Sequence, residues 1–298
     1  MPNLHAAHGQ SPTLPHPMLT TTNHNRDSAG LTYIYPVISR RSGGLSVGVN
    51  LNPNNACNWR CVYCQVANLQ RGSATKTDLN LLETELRGFL GDVLEGDFFQ
   101  RFAIPADQQI IRDIAISGNG EPTSSAEFDR VIGLIGSVAA DHDLLGKIKL
   151  VLITNGSLIR REIVQKGLAH WGELGGEVWF KLDSATEAGI QRINNVHHTM
   201  DSVLRNLETS AQLCTTWLQT CLFAVDGQPP SLEEREAYLA FLQRTQRQNI
   251  DLCGVLLYGL ARPSMQAEAP RLSALPAEWM EAFAANIQRL GLEARLSL

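Results

Sequence analysis

The chain alternates short β-prone runs with longer amphipathic stretches. Six runs are predicted to be strands, and they cover residues 45–51, 110–117, 147–154, 177–183, 217–223 and 251–258. Segments with a helical period of hydrophobic residues lie near residues 78–96, 124–140, 159–170, 200–214, 231–247 and 276–290. Several of them begin after Asp, Ser or Thr, which cap helix N-termini. Strands that alternate with helices in this way predict a parallel sheet.

The faces of two predicted strands indicate the shape of that sheet. An open sheet that helices cover on both sides is apolar on both faces, but here polar side chains share one face of each strand. These faces carry Trp179, Lys181 and Asp183 in the first strand and Gln219, Cys221 and Phe223 in the second. Each polar residue alone is equally consistent with a structural hydrogen bond or an exposed strand end. Together they favour a barrel with helices outside and a polar cavity inside.

Length and composition fit one large domain. The chain has 298 residues, of which 44% are hydrophobic, and a length near this value is typical of a single α/β barrel. Residues 1–28 are rich in His, Pro, Thr, Ser and Asn without a hydrophobic period, so we predict a flexible leader there. Its histidines could bind a metal, but their irregular spacing favours a solvated tail. Residues 29–298 are expected to form the core.

Charge and hydropathy limit the classes of partner. Lys and Arg number 25 against 30 Asp and Glu, a net charge of −5 without clustered basic residues, which argues against a broad nucleic-acid surface. No apolar run is long enough to cross a bilayer, and the N-terminus lacks the pattern of a signal peptide. We therefore expect a cytoplasmic protein with no membrane partner.

Three of the six cysteines, Cys57, Cys61 and Cys64, lie within eight residues of one another. They follow the first of the six predicted strands, in a loop that the residues at 53–55 (PNN) keep from continuing as a helix. Active sites of barrels lie at this end of parallel strands. Clustered thiols in a cytosolic protein indicate a metal before a disulfide, so no disulfide partner is expected.

The loop supplies three thiolates, whereas structural zinc sites and most iron–sulfur clusters take four protein ligands. No further Cys or His follows within forty residues. An iron–sulfur cluster with one open iron is the simplest hypothesis, because an open coordination position can bind a reactant. The alternative is a zinc site completed by a distant residue, namely Cys214, Cys221, Cys253 or His197.

The motif Cys57-x3-Cys61-x2-Cys64, with Tyr63 just before the third Cys, resembles the radical S-adenosylmethionine (radical SAM) superfamily. Further elements follow in the order that the resemblance leads us to expect: SGNGEPT at 117–123, TNG at 154–156 and KLDS at 181–184. The resemblance covers about residues 31–297. It is nearest to the branch that contains wyosine-synthesising tRNA enzymes and many proteins without an assigned substrate.

The resemblance implies a partial (β/α)6 TIM-like barrel of the radical SAM type, with a C-terminal strand–helix extension. It further implies that the three thiolates hold a [4Fe–4S] cluster and that S-adenosylmethionine chelates the fourth iron. One electron from the cluster then releases a 5′-deoxyadenosyl radical, which abstracts hydrogen from a substrate. An electron donor such as flavodoxin or ferredoxin is the implied partner.

The same resemblance provides candidate contacts to the cofactor. Gly118 and Gly120 would let the backbone approach the methionine moiety, and Glu121 would place a carboxylate near its ammonium group. Tyr63 would offer an aromatic surface to adenine. The full set of candidates is Tyr63, Gly118, Asn119, Gly120, Glu121, Asn155 and Asp183.

The substrate is expected to contact Lys181, Gln219 and Arg262, which project toward the predicted cavity. It is predicted to be a small metabolite or a protruding RNA nucleotide. Wyosine-type enzymes carry a second cluster bound by upstream cysteines, and residues 1–56 contain none, so a single cluster is expected. Two alternatives remain: an activase that places a radical on a partner protein, and a non-catalytic metal-binding scaffold.

Overall fold

The computed structural model describes residues 29–39, 43–260 and 262–297. The leader predicted at 1–28 lies outside these residues. The strands are β1 (Ile34–Ser39), β2 (Gly44–Val49), β3 (Ala56–Cys57), β4 (Gln70–Arg71), β5 (Ile111–Ile116), β6 (Lys149–Thr154), β7 (Glu177–Lys181), β8 (Thr215–Leu222), β9 (Ala224–Val225), β10 (Gly254–Gly259), β11 (Leu272–Ser273) and β12 (Ala294–Ser297). The helices are α1 (Leu79–Glu95), α2 (Phe98–Arg101), α3 (Phe128–Asp141), α4 (Glu162–Glu173), α5 (Glu187–Asn194), α6 (Met200–Leu213), α7 (Leu232–Arg247) and α8 (Ala277–Gln288).

One eight-stranded sheet organises the chain, in the order β1-β2-β5-β6-β7-β8-β10-β12. The pair β1–β2 is antiparallel, and all other neighbours in the sheet are parallel. The six predicted strands are β2, β5, β6, β7, β8 and β10, and their ends agree with the prediction to within three residues. The predicted parallel α/β topology is therefore confirmed, with β1 and β12 added at the two edges.

The helices begin where the sequence provides caps. Asp78 accepts hydrogen bonds from two amides of the first turn of α1, and Ser231 forms a capping box with Glu234 at α7. Helix α5 was not predicted, because its eight residues are too few for a clear hydrophobic period. No helix in the described ranges combines the length and the hydropathy that crossing a membrane requires.

The outer face of the sheet carries the main hydrophobic core. Alternate strand residues point outward and are fully buried against the helices, among them Val47, Ile114, Leu152, Val178 and Leu218. Burial of such a side chain contributes about 1.5–3 kcal/mol relative to exposure. The amphipathic helices therefore cover the outer face of the sheet and stabilise it by burying its apolar side chains.

The inner face carries polar side chains among apolar ones and borders a cavity of about 360 Å³. All eight strands of the sheet contribute residues to its lining, including Tyr35 of edge strand β1 and Ser297 of edge strand β12. Two edges that border the same cavity belong to a strongly curled sheet. The predicted partial barrel with helices outside is confirmed, and its interior is lined by both polar and apolar side chains.

Candidate active site

The cysteine loop between β2 and α1 is held in shape by its own asparagines. Asn52 donates from Nδ2 to the carbonyl oxygen of Ala56 at 2.8 Å. Asn55 has a left-handed φ of +54°, which asparagine tolerates better than most residues. The short strand β3 then pairs with β4, which fixes the backbone at Cys57. The turn predicted from the PNN sequence thus becomes the scaffold of the thiols.

Almost all of the predicted site residues line this cavity. Asp183 alone among the predicted residues does not line it. The lining includes Cys57, Cys61, Tyr63, Cys64, Gly118, Asn119, Gly120, Glu121, Asn155, Lys181, Gln219 and Arg262. Residues far apart in sequence meet here because each follows, or lies near the end of, a strand of the curled sheet.

The three thiols fit a cluster better than a single ion. Within the described ranges, no three His, Cys, Asp or Glu side chains are grouped to ligate one metal ion. A [4Fe–4S] cluster does not require such a grouping, because each of its cysteines binds a different iron. Burial raises the pKa of the Cys57 and Cys61 thiols to about 12, so metal binding would require them to release protons. The donor set fits a [4Fe–4S] cluster and disfavours the zinc alternative.

The glycines after β5 allow a close approach to the cysteine loop itself. A Cβ at Gly120 would lie 2.0 Å from the carbonyl oxygen of Ala56, and one at Gly118 would lie 2.3 Å from Asn50 Oδ1. Gly118 also has a φ of +148°, which side chains rarely adopt. The same Asn50 oxygen accepts from the amide of Asn119 at 3.0 Å. Packing of this turn against the loop is therefore one reason for both glycines.

Glu121 joins the ends of β5 and β6. Its Oε1 accepts from the hydroxyls of Thr123 and Thr154, both at 2.5 Å, and its Oε2 accepts from the amide of Asn155 at 2.7 Å. Burial raises the pKa of Glu121 above its usual value, although these hydrogen bonds act in the opposite direction. A carboxylate oxygen can accept two hydrogen bonds, so Oε2 keeps capacity for one more.

Asn155 follows β6 and faces the cysteine loop. Its Nδ2 donates to Asn58 Oδ1 at 2.8 Å, and its Oδ1 accepts from the amide and the hydroxyl of Ser157. Ser157 in turn accepts from Asn58 Nδ2 at 2.8 Å. The side chain of Asn155 thus connects the β6 end to the residue after Cys57.

Asp183 occupies a different place from the one expected. Its side chain is 0% exposed, and it borders a second cavity of about 380 Å³ instead of the first. Its carboxylate accepts from Tyr63 Oη at 2.5 Å, from Asn194 Nδ2 at 2.8 Å and from the amide of Cys221 at 3.1 Å. Asp183 therefore holds the neighbouring groups in place through hydrogen bonds, and its carboxylate does not face the first cavity.

The predicted substrate residues Lys181 and Gln219 lie side by side on β7 and β8. Lys181 Nζ donates to Tyr258 Oη at 2.8 Å and lies 3.5 Å from Asp183 Oδ1. Burial alone lowers the pKa of Lys181, but the charge of Asp183 and other nearby groups raises it above its usual value. Gln219 is 2% exposed, and its Nε2 finds no hydrogen-bond partner among the described residues. The inner wall thus presents an ammonium group beside an unused amide donor.

A family model described as the Radical SAM superfamily matches residues 51–242, which is more than half of the chain. The chain belongs to the radical SAM superfamily. The match begins just before the three cysteines and ends in α7, so it includes the cysteine loop and the four central strands of the sheet, β5 to β8. This family assignment agrees with the predicted enzyme and with the predicted cofactors, a [4Fe–4S] cluster and S-adenosylmethionine, and it argues against the scaffold alternative.

Curated relatives of this radical SAM chain cover parts of it. UPF0026 protein MJ1312 of Methanocaldococcus jannaschii is 26% identical over 174 residues, which is 58% of this chain and 47% of the relative. UPF0026 protein slr1464 of Synechocystis sp. is 23% identical over 222 residues, 74% of both chains. A Brachyspira hyodysenteriae protein named GTPase Obg is 25% identical over 153 residues, 51% of this chain and 20% of its own length. The chain thus spans less than half of two of these relatives.

Solved structures support the radical SAM fold. The structure of TYW1 with a lysine–pyruvate adduct bound has a TM-score of 0.50 and 15% identity, and covers 82% of this chain and 73% of its own. The structure of anSMEcpe with bound AdoMet has a TM-score of 0.51 and 16% identity, and covers 84% and 63%. Both share the fold of this chain.

Some lining residues of this radical SAM cavity were missed by the sequence reasoning. Ser46 and Asp113 face inward on β2 and β5 and hydrogen-bond to each other. The alternation of strand residues, applied to β2 and β5 as it was to β7 and β8, would have found both. Trp59, which lies in an irregular loop, had no such signal. Asn194 is not part of the lining but contacts Cys61, and it was missed because it ends a short helix.

Proposed function

We propose that this cavity is the active site and that Cys57, Cys61 and Cys64 hold the cluster. The observation that carries the proposal is that the three thiols, the glycine-rich turn and a set of buried donors line one cavity. When bound, the reduced cluster supplies the electron that converts S-adenosylmethionine into methionine and a 5′-deoxyadenosyl radical. A reductant such as flavodoxin or ferredoxin is proposed to deliver that electron.

The chain's own groups are proposed to orient the cofactor. Glu121 Oε2 has capacity for one further hydrogen bond and suits the ammonium group of the methionine moiety. The backbone of Asn119 and the flanking glycines would contact the methionine moiety. Asn155 would hold the end of β6 in place beside it. The ring of Tyr63 would contact the adenine while its hydroxyl stays hydrogen-bonded to Asp183. Asp183 itself is proposed to act through Tyr63 and Lys181, because its carboxylate is enclosed.

The substrate is proposed to carry an acceptor-rich, anionic group. Lys181 and Arg262 bring positive charge to the cavity, and Gln219 brings a buried N–H donor that finds no partner among the residues the structure describes. An unpaired buried donor costs about 1–3 kcal/mol, which a ligand oxygen would recover. A carboxylate or phosphate of a small metabolite, or the phosphate of a protruding RNA nucleotide, provides such oxygens. We favour this class over an activase, because the donors lie in a cavity of about 360 Å³, which suits a small ligand or a single nucleotide.

Variants of the substrate wall test this proposal. We expect Gln219→Leu and Arg262→Ala to reduce substrate-dependent 5′-deoxyadenosine formation about tenfold to a hundredfold, since a hydrogen bond to a charged group contributes about 1.5–3 kcal/mol. Slow formation without substrate should stay near the wild-type rate. The measurement is anaerobic turnover with dithionite and S-adenosylmethionine, in the presence of nucleoside monophosphates, dicarboxylates or transfer RNA.

The matched control is Gln228→Leu, the same change in the lining of the second cavity, which should leave both rates unchanged. Loss of the substrate-independent rate in Gln219→Leu would move this residue into the cofactor site. If a partner protein acquires a radical while no small molecule or RNA raises the rate, the activase alternative replaces the proposed substrate class.

The protonated state of Lys181 predicts a difference from TYW1. Lys181 is the one lysine among the described residues of the cavity, and its raised pKa keeps it an ammonium group at neutral pH. An ammonium group binds anions but cannot attack a carbonyl. We expect no covalent adduct when the protein is treated with pyruvate and borohydride at pH 7 and its intact mass is measured. A mass increase by one reduced pyruvate, lost in Lys181→Arg, would contradict this prediction.

A further inference from the structure

The last residue of α5 contacts one of the cluster thiols directly. Asn194 is fully buried, and its Nδ2 lies 3.2 Å from Cys61 Sγ and 2.8 Å from Asp183 Oδ2. An amide nitrogen carries two hydrogens, so both of these contacts can be donated at once. Asn194 thus links a cluster thiol to a buried carboxylate.

The orientation of this amide is set by Asp183. The Asn194 Oδ1 atom is buried and has no hydrogen-bond partner within the described part of the chain, which is unfavourable by itself. The reversed orientation would place this oxygen against the carboxylate oxygen of Asp183. Because that arrangement is repulsive, the N–H group stays directed at Cys61 and its carbonyl stays unpaired.

The backbone holds the donor at this distance. The carbonyl oxygen of Ile193 accepts from the amide of Val62 at 2.8 Å, and that of Asn194 accepts from the amide of Arg60 at 3.2 Å. Asn195 Nδ2 also donates to the carbonyl oxygen of Arg60 at 2.8 Å. The C-terminal end of α5 is therefore clamped to the residues on both sides of Cys61.

We propose that Asn194 is a positioning residue that raises the reduction potential of the cluster through its hydrogen bond to Cys61. Hydrogen bonds to the sulfurs are among the factors that set the potential of iron–sulfur clusters. Reduction adds negative charge to the cluster and its thiolates, so a donor stabilises the reduced form more than the oxidised form. The inference rests on the proposed ligand role of Cys61.

The test is the midpoint potential of the reconstituted enzyme, measured by an anaerobic titration followed by electron paramagnetic resonance. In Asn194→Leu we expect the equilibrium constant for reduction to fall about tenfold, which corresponds to about 59 mV lower for a one-electron couple. Asn194→Ala is the second variant, in case leucine prevents loading. The unfolding temperature of each metal-free protein is measured in parallel.

Asn206→Leu and Asn206→Ala are matched controls on α6. Asn206 is also a buried asparagine whose Oδ1 has no hydrogen-bond partner within the described ranges, and its Nδ2 donates to the carbonyl oxygen of Gly156 at 3.0 Å instead of to a thiol. Both pairs of variants should lower the unfolding temperature, but only the Asn194 variants should lower the potential.

Equal potentials in the Asn194 variants and the wild type would overturn the inference. So would an equal shift in the Asn206 variants, or failure of both Asn194 variants to load iron while an Asn206 variant loads. If Cys61→Ala holds the cluster as the wild type does, the proposed ligand set fails. If Cys61→Ala loses the cluster and the Asn194 variants keep the wild-type potential, only the present inference fails.

Discussion

Replacement of Cys57, Cys61 or Cys64 by alanine is expected to abolish the iron–sulfur cluster. The reconstituted wild type should contain about four irons and about four sulfides per chain, as a [4Fe–4S] cluster requires. Each single variant leaves two of the three thiolates, so iron should fall to a small fraction of the wild-type value. Formation of 5′-deoxyadenosine should fall with it. The measurements are iron and sulfide content and anaerobic turnover.

Two other cysteines provide matched controls for this result. Cys214 donates its thiol to the carbonyl oxygen of Gly176 at 3.2 Å, and Cys253 is exposed outside the cavity lining. Cys214→Ala and Cys253→Ala should keep the iron content of the wild type, and Cys221→Ala should as well. Stoichiometric zinc without iron in the wild type, or iron retained in all three motif variants, would contradict the proposed ligand set.

Gly120→Ala is expected to displace the cysteine loop. The added methyl would lie 2.0 Å from the backbone oxygen of Ala56, and backbone cannot move aside as a flexible side chain can. Overpacking of this kind costs about 1–3 kcal/mol and occasionally more. We expect a loss of about 3 kcal/mol in the free energy of unfolding of the metal-free protein, together with poor cluster loading.

Chemical denaturation and iron content measure the two effects of Gly120→Ala. Gly88→Ala is the control, since Gly88 lies in α1 with no atom near the added methyl, and alanine there should stabilise by up to about 1 kcal/mol. If Gly120→Ala has the stability and the iron content of the wild type, the cysteine loop can move aside without cost, which would contradict this prediction. If Gly120→Ala keeps the stability and iron content of the wild type but binds S-adenosylmethionine more weakly, the added methyl must contact the cofactor and not the cysteine loop.

Much of the architecture could be predicted because local patterns carry it. The strand period of two and the helical period reflect burial on one face, so Val178 and Phe180 mark the outer face of β7 without any knowledge of their neighbours. The same alternation placed Lys181 and Gln219 inside the barrel, where the structure has them. Helix α5 escaped prediction because a helix of two turns has too few positions to show a period.

The strand–helix order, the inward-facing polar residues of β7 and β8 and the three-thiol motif could be read from the chain, since each depends on residues close together in sequence. The contacts of Asp183, Gly120 and Asn194 depend instead on the folded arrangement of distant segments. Asn194 and Cys61 are 133 residues apart, and Tyr63 and Asp183 are 120 apart. Such contacts arise from the curl of the sheet, which brings strand ends and the cysteine loop to one place. No local pattern records how far a sheet curls, so these partners could not be read from the sequence.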